Sequence, residues 1–501
     1  MNNVREWLFG ADVKGKPPVN EANTYPVHTL DRMKEYETFV ATVMLFNDVL
    51  DADMLNASLS RLLEIGDWRK LGGRLKRDGN GRLQIHVPPV FTEDQPAITY
   101  THICLTEMKI SDHPVAKLLP TRTGAPSIKP LPESAEFRTL QVRKDFPTSL
   151  DALIEADLPQ MSLHIHSFQD ATVVGLAWPH TLMDGAGRAA LMRSWSLVMA
   201  DQVEKVPLVA GARHDVLSDL PLVDSNQDEF LISKRRLRNI RLARFLCRWG
   251  WDKLTGPAKV SRAMYLPKVK YDMLVNSIKG KVSQLEADVN KKLYISEADA
   301  LTAWITQQVA LLEPSPRPVT IMNLINCRYR LKQLLHLDGV YLQNMVLMSY
   351  TLLSAQEARG AVAPLALSHR EQTTQQTTVP RVVSFLQWFR NHIDNSRHTI
   401  PFCGEPDSVI VFSNSLTKAE LIKVTDFAPA VLCVGEGDQT RSNPHGTMVN
   451  FFFKDANEPI PHVNALSILG KDHSGGTRFS GHLSLQVWEV LEQQVKLLGE
   501  D

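Results

Sequence analysis

His180-Thr181-Leu182-Met183-Asp184-Gly185 is the segment of this chain best equipped for chemistry. An imidazole titrates near neutrality, so a positioned His180 can accept a proton from an alcohol or amine as that group attacks an acyl donor. Asp184, four residues on, would either orient that imidazole or fix the loop that carries it. The apolar run Thr172 to Trp178 precedes the motif and reads as a strand, while Gly185 and Gly187 mark a turn before a helix-like stretch from Ala186 to Met199. His180 therefore falls at a strand end, where catalytic groups commonly sit. Among 16 histidines the same spacing recurs once, at His166 and Asp170. There His164 and His166 alternate with apolar residues and no glycine follows Asp170, the pattern of structural strand histidines.

The elements that must position His180 can be read around it. Leu55, Leu59, Leu62 and Leu63 recur at helical spacing after Asp51. Lys76 to Val87 reads as a hairpin about the turn Asp78-Gly79-Asn80-Gly81. Residues 88–158 are Pro-rich and irregular. Met161 to Phe168 and Thr172 to Trp178 read as paired strands. Between 201 and 260 the cations Lys234, Arg235, Arg236, Arg238, Arg241, Arg244, Arg248 and Lys253 cluster, several at helical spacing. With apolar residues interleaved, this reads as the solvated face of a connecting helix, with an anionic cofactor tail or a membrane surface as the functional alternatives.

A second block begins near Ser261. Ser296 with Asp299 predicts a helix N-terminus, and Val319 to Ile325 a strand running into Asn326-Cys327-Arg328-Tyr329-Arg330. Ser408 to Phe412 reads as a strand closed by the polar turn Ser413-Asn414-Ser415. Strands near Met448–Phe453 and Ala465–Ile468 follow, then the turn-rich Lys471–Gly481 and a final helix from Leu485. Helices and strands without regular βαβ alternation, over 501 residues, predict two α+β domains at residues 1–200 and 261–501, joined by a long crossover at 201–260.

Composition excludes several classes. Lys plus Arg and Asp plus Glu number 55 each, so no overall field draws nucleic acid. Five scattered cysteines without a Cys-x-x-Cys pair argue against zinc or a disulfide scaffold. No apolar run approaches the ~20 residues that span a bilayer. The expectation is a reducing, cytoplasmic setting, no metal, and a monomer.

Taken in order, these segments resemble the BAHD acyltransferases, including their fungal trichothecene acetyltransferase branch. Leu55–Leu63 with Gly72-Gly73-Arg74-Leu75 resembles the family's first helix and following strand, and His180–Gly185 its His-x-x-x-Asp-Gly motif. Ser296–Trp304 resembles its second-domain helix, and Ile325–Arg330 its Asn-x-Arg-x-Arg segment. The resemblance implies two chloramphenicol-acetyltransferase-like domains with a channel between them. Acyl-CoA as co-substrate enters from one face and a small-molecule acceptor from the other. His180 would act as general base without a covalent acyl-enzyme, and Asp184, followed by Gly185, would turn away from substrate to pair with Arg328, or failing that Arg330. Where the family has Asp-Phe-Gly-Trp-Gly, this chain has Asp426-Phe427-Ala428-Pro429-Ala430; Ser415-Leu416 stands for its Ser-Trp, and Tyr341-Leu342-Gln343-Asn344 for its Tyr-x-Gly-Asn. Asn414 or Ser415 would donate to the oxyanion. The condensation domains of peptide synthetases carry two adjacent histidines, and here Pro179 takes the first place. The leading reading is an O-acyltransferase acting on a secondary metabolite. The same fold recruited to a CoA-independent cyclisation is the runner-up, and a non-catalytic binding protein is the third.

Overall fold

The computed structural model describes residues 23–120, 124–132, 134–220, 234–289, 292–335, 338–393, 400–437, 439–455 and 463–498. Two sheets organise them. The first has five strands in the order Met448–Asp455, Phe39–Phe46, Thr172–Pro179, Ser162–Phe168, Thr99–Leu105, antiparallel except for the last pair. The second has seven, in the order Val346–Leu353, Val319–Asn326, Val409–Ser415, Asn464–Lys471, Thr477–Ser484, Lys259–Leu266, Ser127–Pro130. The halves trade edge strands: Met448–Asp455 crosses to the first sheet and Ser127–Pro130 to the second.

Local chemistry explains the helices that brace the first sheet. Asp51 accepts hydrogen bonds from the backbone N–H groups of Asp53 and Met54 and starts the helix Ala52–Leu62. That helix buries Leu55, Leu59 and Leu62 completely, worth about 2 kcal/mol each. It packs on the helix Gly185–Met199, where the Trp195 indole N–H reaches the Ser58 hydroxyl at 2.9 Å. In the second half Ser296 and Asp299 form a reciprocal cap on the helix Glu297–Leu311, as their spacing predicts. Its Leu301 and Ile305 belong to a core shared with Ile321, Val411 and Leu466 of the second sheet.

Several segments differ from their sequence reading. The stretch 88–158 holds a strand of each sheet and two short helices, Ser134–Gln141 and Leu150–Glu155. Ser413–Ser415 is the end of a strand and not a turn, because the parallel strand Asn464–Lys471 pairs all three residues and Val319–Asn326 pairs Ser413 from the other side. Thr477–Ser484, which begins inside the stretch Lys471–Gly481 read as turn-rich, is a strand paired on both edges as far as His482. Arg328 opens a short helix, Arg328–Leu335, and does not continue the strand before it.

The basic stretch forms the helix Asn239–Thr255. Its apolar residues are not interleaved around the axis as the sequence reading has it. Phe245 faces inward, and Ile240, Ala243, Cys247, Trp251 and Leu254 share the opposite, exposed side.

Candidate active site

The strand Thr172–Pro179 runs between Phe39–Phe46 and Ser162–Phe168, and the ladder continues one residue beyond it: His180 N–H donates to the Thr38 carbonyl at 2.8 Å. Two further bonds hold the turn that follows. Leu182 N–H donates to the Pro179 carbonyl, and the buried Trp178 indole N–H to the Met183 carbonyl at 3.1 Å. Trp178 and Met183 are thus core residues that fix the motif from behind.

The imidazole of His180 is gripped by its surroundings more than by bonds to its nitrogens. Tyr36 lies flat against it, with ring centroids 4.2 Å apart and planes 11° from parallel. Its Nδ1 is buried and makes no regular hydrogen bond. The backbone carbonyl of His180 accepts from the Asn344 amide at 2.7 Å. Burial pushes the pKa of His180 below its ordinary value, against smaller opposing pulls from its own carbonyl and from Asp184. The ring is therefore neutral at physiological pH, the state a general base needs.

Asp184 does not orient the imidazole; of its two sequence roles, the geometry is that of the loop-fixing one. As helix N-cap its Oδ1 accepts the N–H groups of Ala186 and Gly187, both at 3.0 Å. Arg328 approaches in a fork at 2.7 and 2.9 Å, and the Met345 N–H adds a fifth bond at 3.1 Å. Arg328 spends its other donors on the carbonyls of Tyr341, Leu342 and Gln343. Arg330 is exposed and makes no ion pair with Asp184. Gly187 permits this junction of the halves: a Cβ there would sit 2.2 Å from the Leu342 carbonyl oxygen. At Gly185 it would meet Leu416 at 2.9 Å.

A cavity of about 630 Å3 opens beside this junction. Asp184, Gly185 and Ala186 form its wall on the first half, with Asn414, Ser415 and Leu416 opposite. His180 is one turn of chain away and is not itself in the wall. Lys279, Arg330, Arg370 and Lys418 line the same cavity, and among the described residues Arg330 and Lys418 have no carboxylate partner. The basic helix 239–255 does not line it. Arg235 and Arg241 pair with Glu405, and Arg248 with Asp252.

Asn414 also lines a second, apolar cavity of about 240 Å3 with Phe137, Phe412, Phe452 and Phe453. Of the two oxyanion candidates it is the freer. No side-chain hydrogen bond engages its amide among the described residues, whereas the Ser415 hydroxyl is 3.0 Å from that of Thr417.

Sequence reasoning missed Asp31, Tyr36 and Thr38, and saw Asn344 only as part of a family motif. Asp31 is a buried carboxylate that accepts both the N–H and the side-chain amide of Asn344 at 2.8 Å. Burial raises its pKa and lowers that of its buried neighbour Lys70, each charge opposing the shift of the other. No spacing signal joins Asp31 to residues 313 positions later. His166, in contrast, lies in a wholly buried strand with His164 ring-to-ring at 4.6 Å, and burial pushes its pKa down to about 3. Asp170 turns from it to bond the Ile110 N–H. Asp426 and Phe427 also stand apart from the cavity, where Phe427 stacks on Phe46 and packs against Trp195.

No family model matches the chain. Acetyltransferase BOT5 of Botryotinia fuckeliana is 29% identical over 502 residues, covering 95% of this chain and 91% of that protein. Acetyltransferase pyiB of Pyricularia grisea is 28% identical over 498 residues, covering 98% and 96%. The solved structure of F. sporotrichioides TRI101 complexed with coenzyme A and T-2 shares the fold, with a TM-score of 0.64 at 13% identity, covering 94% of this chain and 96% of that one. The His-x-x-x-Asp-Gly turn, the Asp184–Arg328 clasp and these full-length relatives together support a BAHD-type acyltransferase.

Proposed function

We propose that this acyltransferase uses acyl-CoA to acylate a hydroxyl of a small secondary metabolite, with His180 as general base. The observation that carries the proposal is the His180 imidazole at a strand end, one turn of chain from a cavity whose wall bears four cations. CoA is a polyanion, and in a chain of zero formal net charge its phosphates need a local cluster such as Lys279, Arg330, Arg370 and Lys418. That the TRI101 structure holds coenzyme A supports the same assignment.

In this reading His180 takes the acceptor's hydroxyl proton as that oxygen attacks the thioester carbonyl. The carbonyl oxygen gains negative charge, and the Asn414 amide is the available donor to it. Collapse of the tetrahedral species breaks the C–S bond, and the proton on His180 passes to the departing thiolate. Atoms balance without a covalent acyl-enzyme. The apolar cavity that shares Asn414 fits an acceptor with a hydrophobic skeleton.

The test is incubation with a panel of acyl-CoAs and a metabolite extract, scoring free thiol together with acyl mass shifts. Thiol release matched to an acylated product is the expected result. Absence of CoA binding at millimolar concentration and low salt would overturn the reading, since exposed phosphate contacts are strongest there.

A further inference from the structure

The helix Asn239–Thr255 is the least buried of the long helices relative to what its sequence could bury. Phe245 is its one fully buried residue. On the opposite side Ile240, Ala243, Cys247, Trp251 and Leu254 follow one another at intervals of three, four, four and three, which makes a single stripe along the helix. The large members are open to solvent: Leu254 is 83% exposed, Ile240 72% and Trp251 61%. Leu246, 46% exposed, widens the stripe on one side. A stripe of this kind on a helix of about 25 Å is not ordinary scattered surface hydrophobicity.

The charge around it is of one sign. From Lys234 to Thr255 the chain has eight Lys and Arg residues and a single acid, Asp252, whereas the whole chain balances at zero. Asp252 faces inward, held by Arg248 and Arg317. Arg244 and Lys253 border the apolar stripe on its two sides and Arg238 caps its start. All three are exposed, and none makes an ion pair among the described residues.

We propose that this helix docks flat on an anionic lipid surface, with Ile240, Trp251 and Leu254 in the headgroup boundary and Arg238, Arg244 and Lys253 against lipid phosphates or carboxylates. An apolar stripe with an indole at its margin and cations at its rims is the composition of interfacial helices. No helix among the described residues is long and apolar enough to cross a membrane, so the geometry is that of a helix lying in the surface plane. A second copy of this chain is a poor occupant, because pairing two such faces would bring like charges together. The inference stands independently of which acyl group the enzyme transfers.

The test uses the full chain and sucrose-loaded vesicles, either of phosphatidylcholine alone or with phosphatidylserine added. Co-sedimentation with the anionic vesicles at low salt, several-fold weaker at physiological salt, is the expected result. Trp251→Glu and Leu254→Glu, both at exposed positions that leave the fold intact, should each cut the bound fraction about tenfold, and Arg244→Glu should act in the same direction. Indifference to vesicle charge, or failure to bind anionic vesicles, overturns the proposal. So does concentration-dependent dimerisation that Leu254→Glu abolishes without any vesicle binding.

Discussion

Removing either member of the Asp184–Arg328 clasp separates positioning from chemistry in this site. The Asp184 carboxylate is 4% exposed and accepts five hydrogen bonds, two of them from the Arg328 guanidinium at 2.7 and 2.9 Å. Breaking a buried pair by deleting one partner costs about 3–5 kcal/mol, because the remaining charge stays buried and unmatched. Here the lower end applies to Arg328→Ala. The Ala186, Gly187 and Met345 N–H groups continue to serve the carboxylate, although the carbonyls of Tyr341, Leu342 and Gln343 lose their donor. Asp184→Asn keeps a capping side chain, so its loss is mainly the pairing, again about 3 kcal/mol. In a double-mutant cycle the two losses overlap, and the coupling should reach about 2 kcal/mol.

Scanning calorimetry reads the stability. A loss of about 3 kcal/mol lowers Tm by roughly 7 °C if a unit of about 200 residues melts alone, and by roughly 3 °C if the whole chain melts together. Steady-state kinetics reads the other side: displacing the His180 turn by 1 Å is enough for about a hundredfold fall in kcat/KM. The single variants should therefore lose Tm and activity together, while His180→Ala loses activity with Tm nearly unchanged. Strict additivity of Asp184→Asn and Arg328→Ala, or Asp184→Asn inactive at full Tm, would refute the assignment of Asp184 as a positioning residue.

Four further outcomes are expected. His180→Ala should lower kcat by about 10²- to 10⁴-fold, and because burial depresses its pKa the acid limb of wild-type kcat/KM should inflect below pH 6.5; an inflection above 7 would identify a different base. Asn414→Ala should cost about 10²- to 10³-fold in kcat with KM for acyl-CoA little changed, and Ser415→Ala much less; the reverse order would move the oxyanion donor to Ser415. Gly187→Ala places a Cβ 2.2 Å from the Leu342 oxygen and should destabilise by about 1–3 kcal/mol through forced separation of the halves, measured by thermal melting. His166 is held neutral down to about pH 3 when folded but titrates near 6.5 when unfolded, so the unfolded state binds more protons in that window. Stability should fall below pH 6.5 by up to about 1.4 kcal/mol per pH unit from this residue, and His166→Gln should flatten the slope without selective loss of rate.

What the sequence discloses about this site is what short-range chemistry specifies. The cap at Asp184, the reciprocal cap of Ser296 and Asp299, and the helix Ala52–Leu62 all depend on residues within four positions of one another. Asn344 reaching the His180 carbonyl and Asp31 reaching Asn344 depend on topology, and a spacing of 164 or 313 residues leaves no periodic trace. Tyr36, which sets the plane of the imidazole, belongs to a single 3₁₀ turn, Lys34–Tyr36, with no amphipathic pattern to reveal it. The strand Val409–Ser415 failed to show its full length for a different reason. Its last residues, Ser413, Asn414 and Ser415, have turn-like composition, and only pairing with the parallel strand Asn464–Lys471, joined by Val319–Asn326 at Ser413, makes them extended.

The departure at Asp426–Ala430 acquires a definite meaning from its contacts. The two residues shared with the family pattern make the specific interactions. Asp426 accepts the Ala428 N–H, its own N–H donates to Ser196 of the motif helix, and Phe427 is buried between Phe46 and Trp195. Phe427 N–H donates to the Gly446 carbonyl, and at Gly446, with φ at +70°, a Cβ would lie 2.3 Å from the Ala428 nitrogen. The segment is therefore a latch. It pins the start of the crossing strand Met448–Asp455 to the helix that follows His180, and none of its residues lines the cavity at Asn414–Ala419. A short 3₁₀ turn, Ala428–Ala430 with Pro429 inside it, makes the bend at the place where the family motif has Gly-Trp-Gly. Residues Ala428–Ala430 thus bear on how the halves are fastened and not on the walls of the cavity at Asn414–Ala419. It follows that Phe427→Ala should lower Tm by the several degrees expected from an aromatic cavity of about 3–5 kcal/mol, with KM for acyl-CoA little affected in the folded fraction. A selective rise in that KM at unchanged Tm would place the segment in donor binding instead.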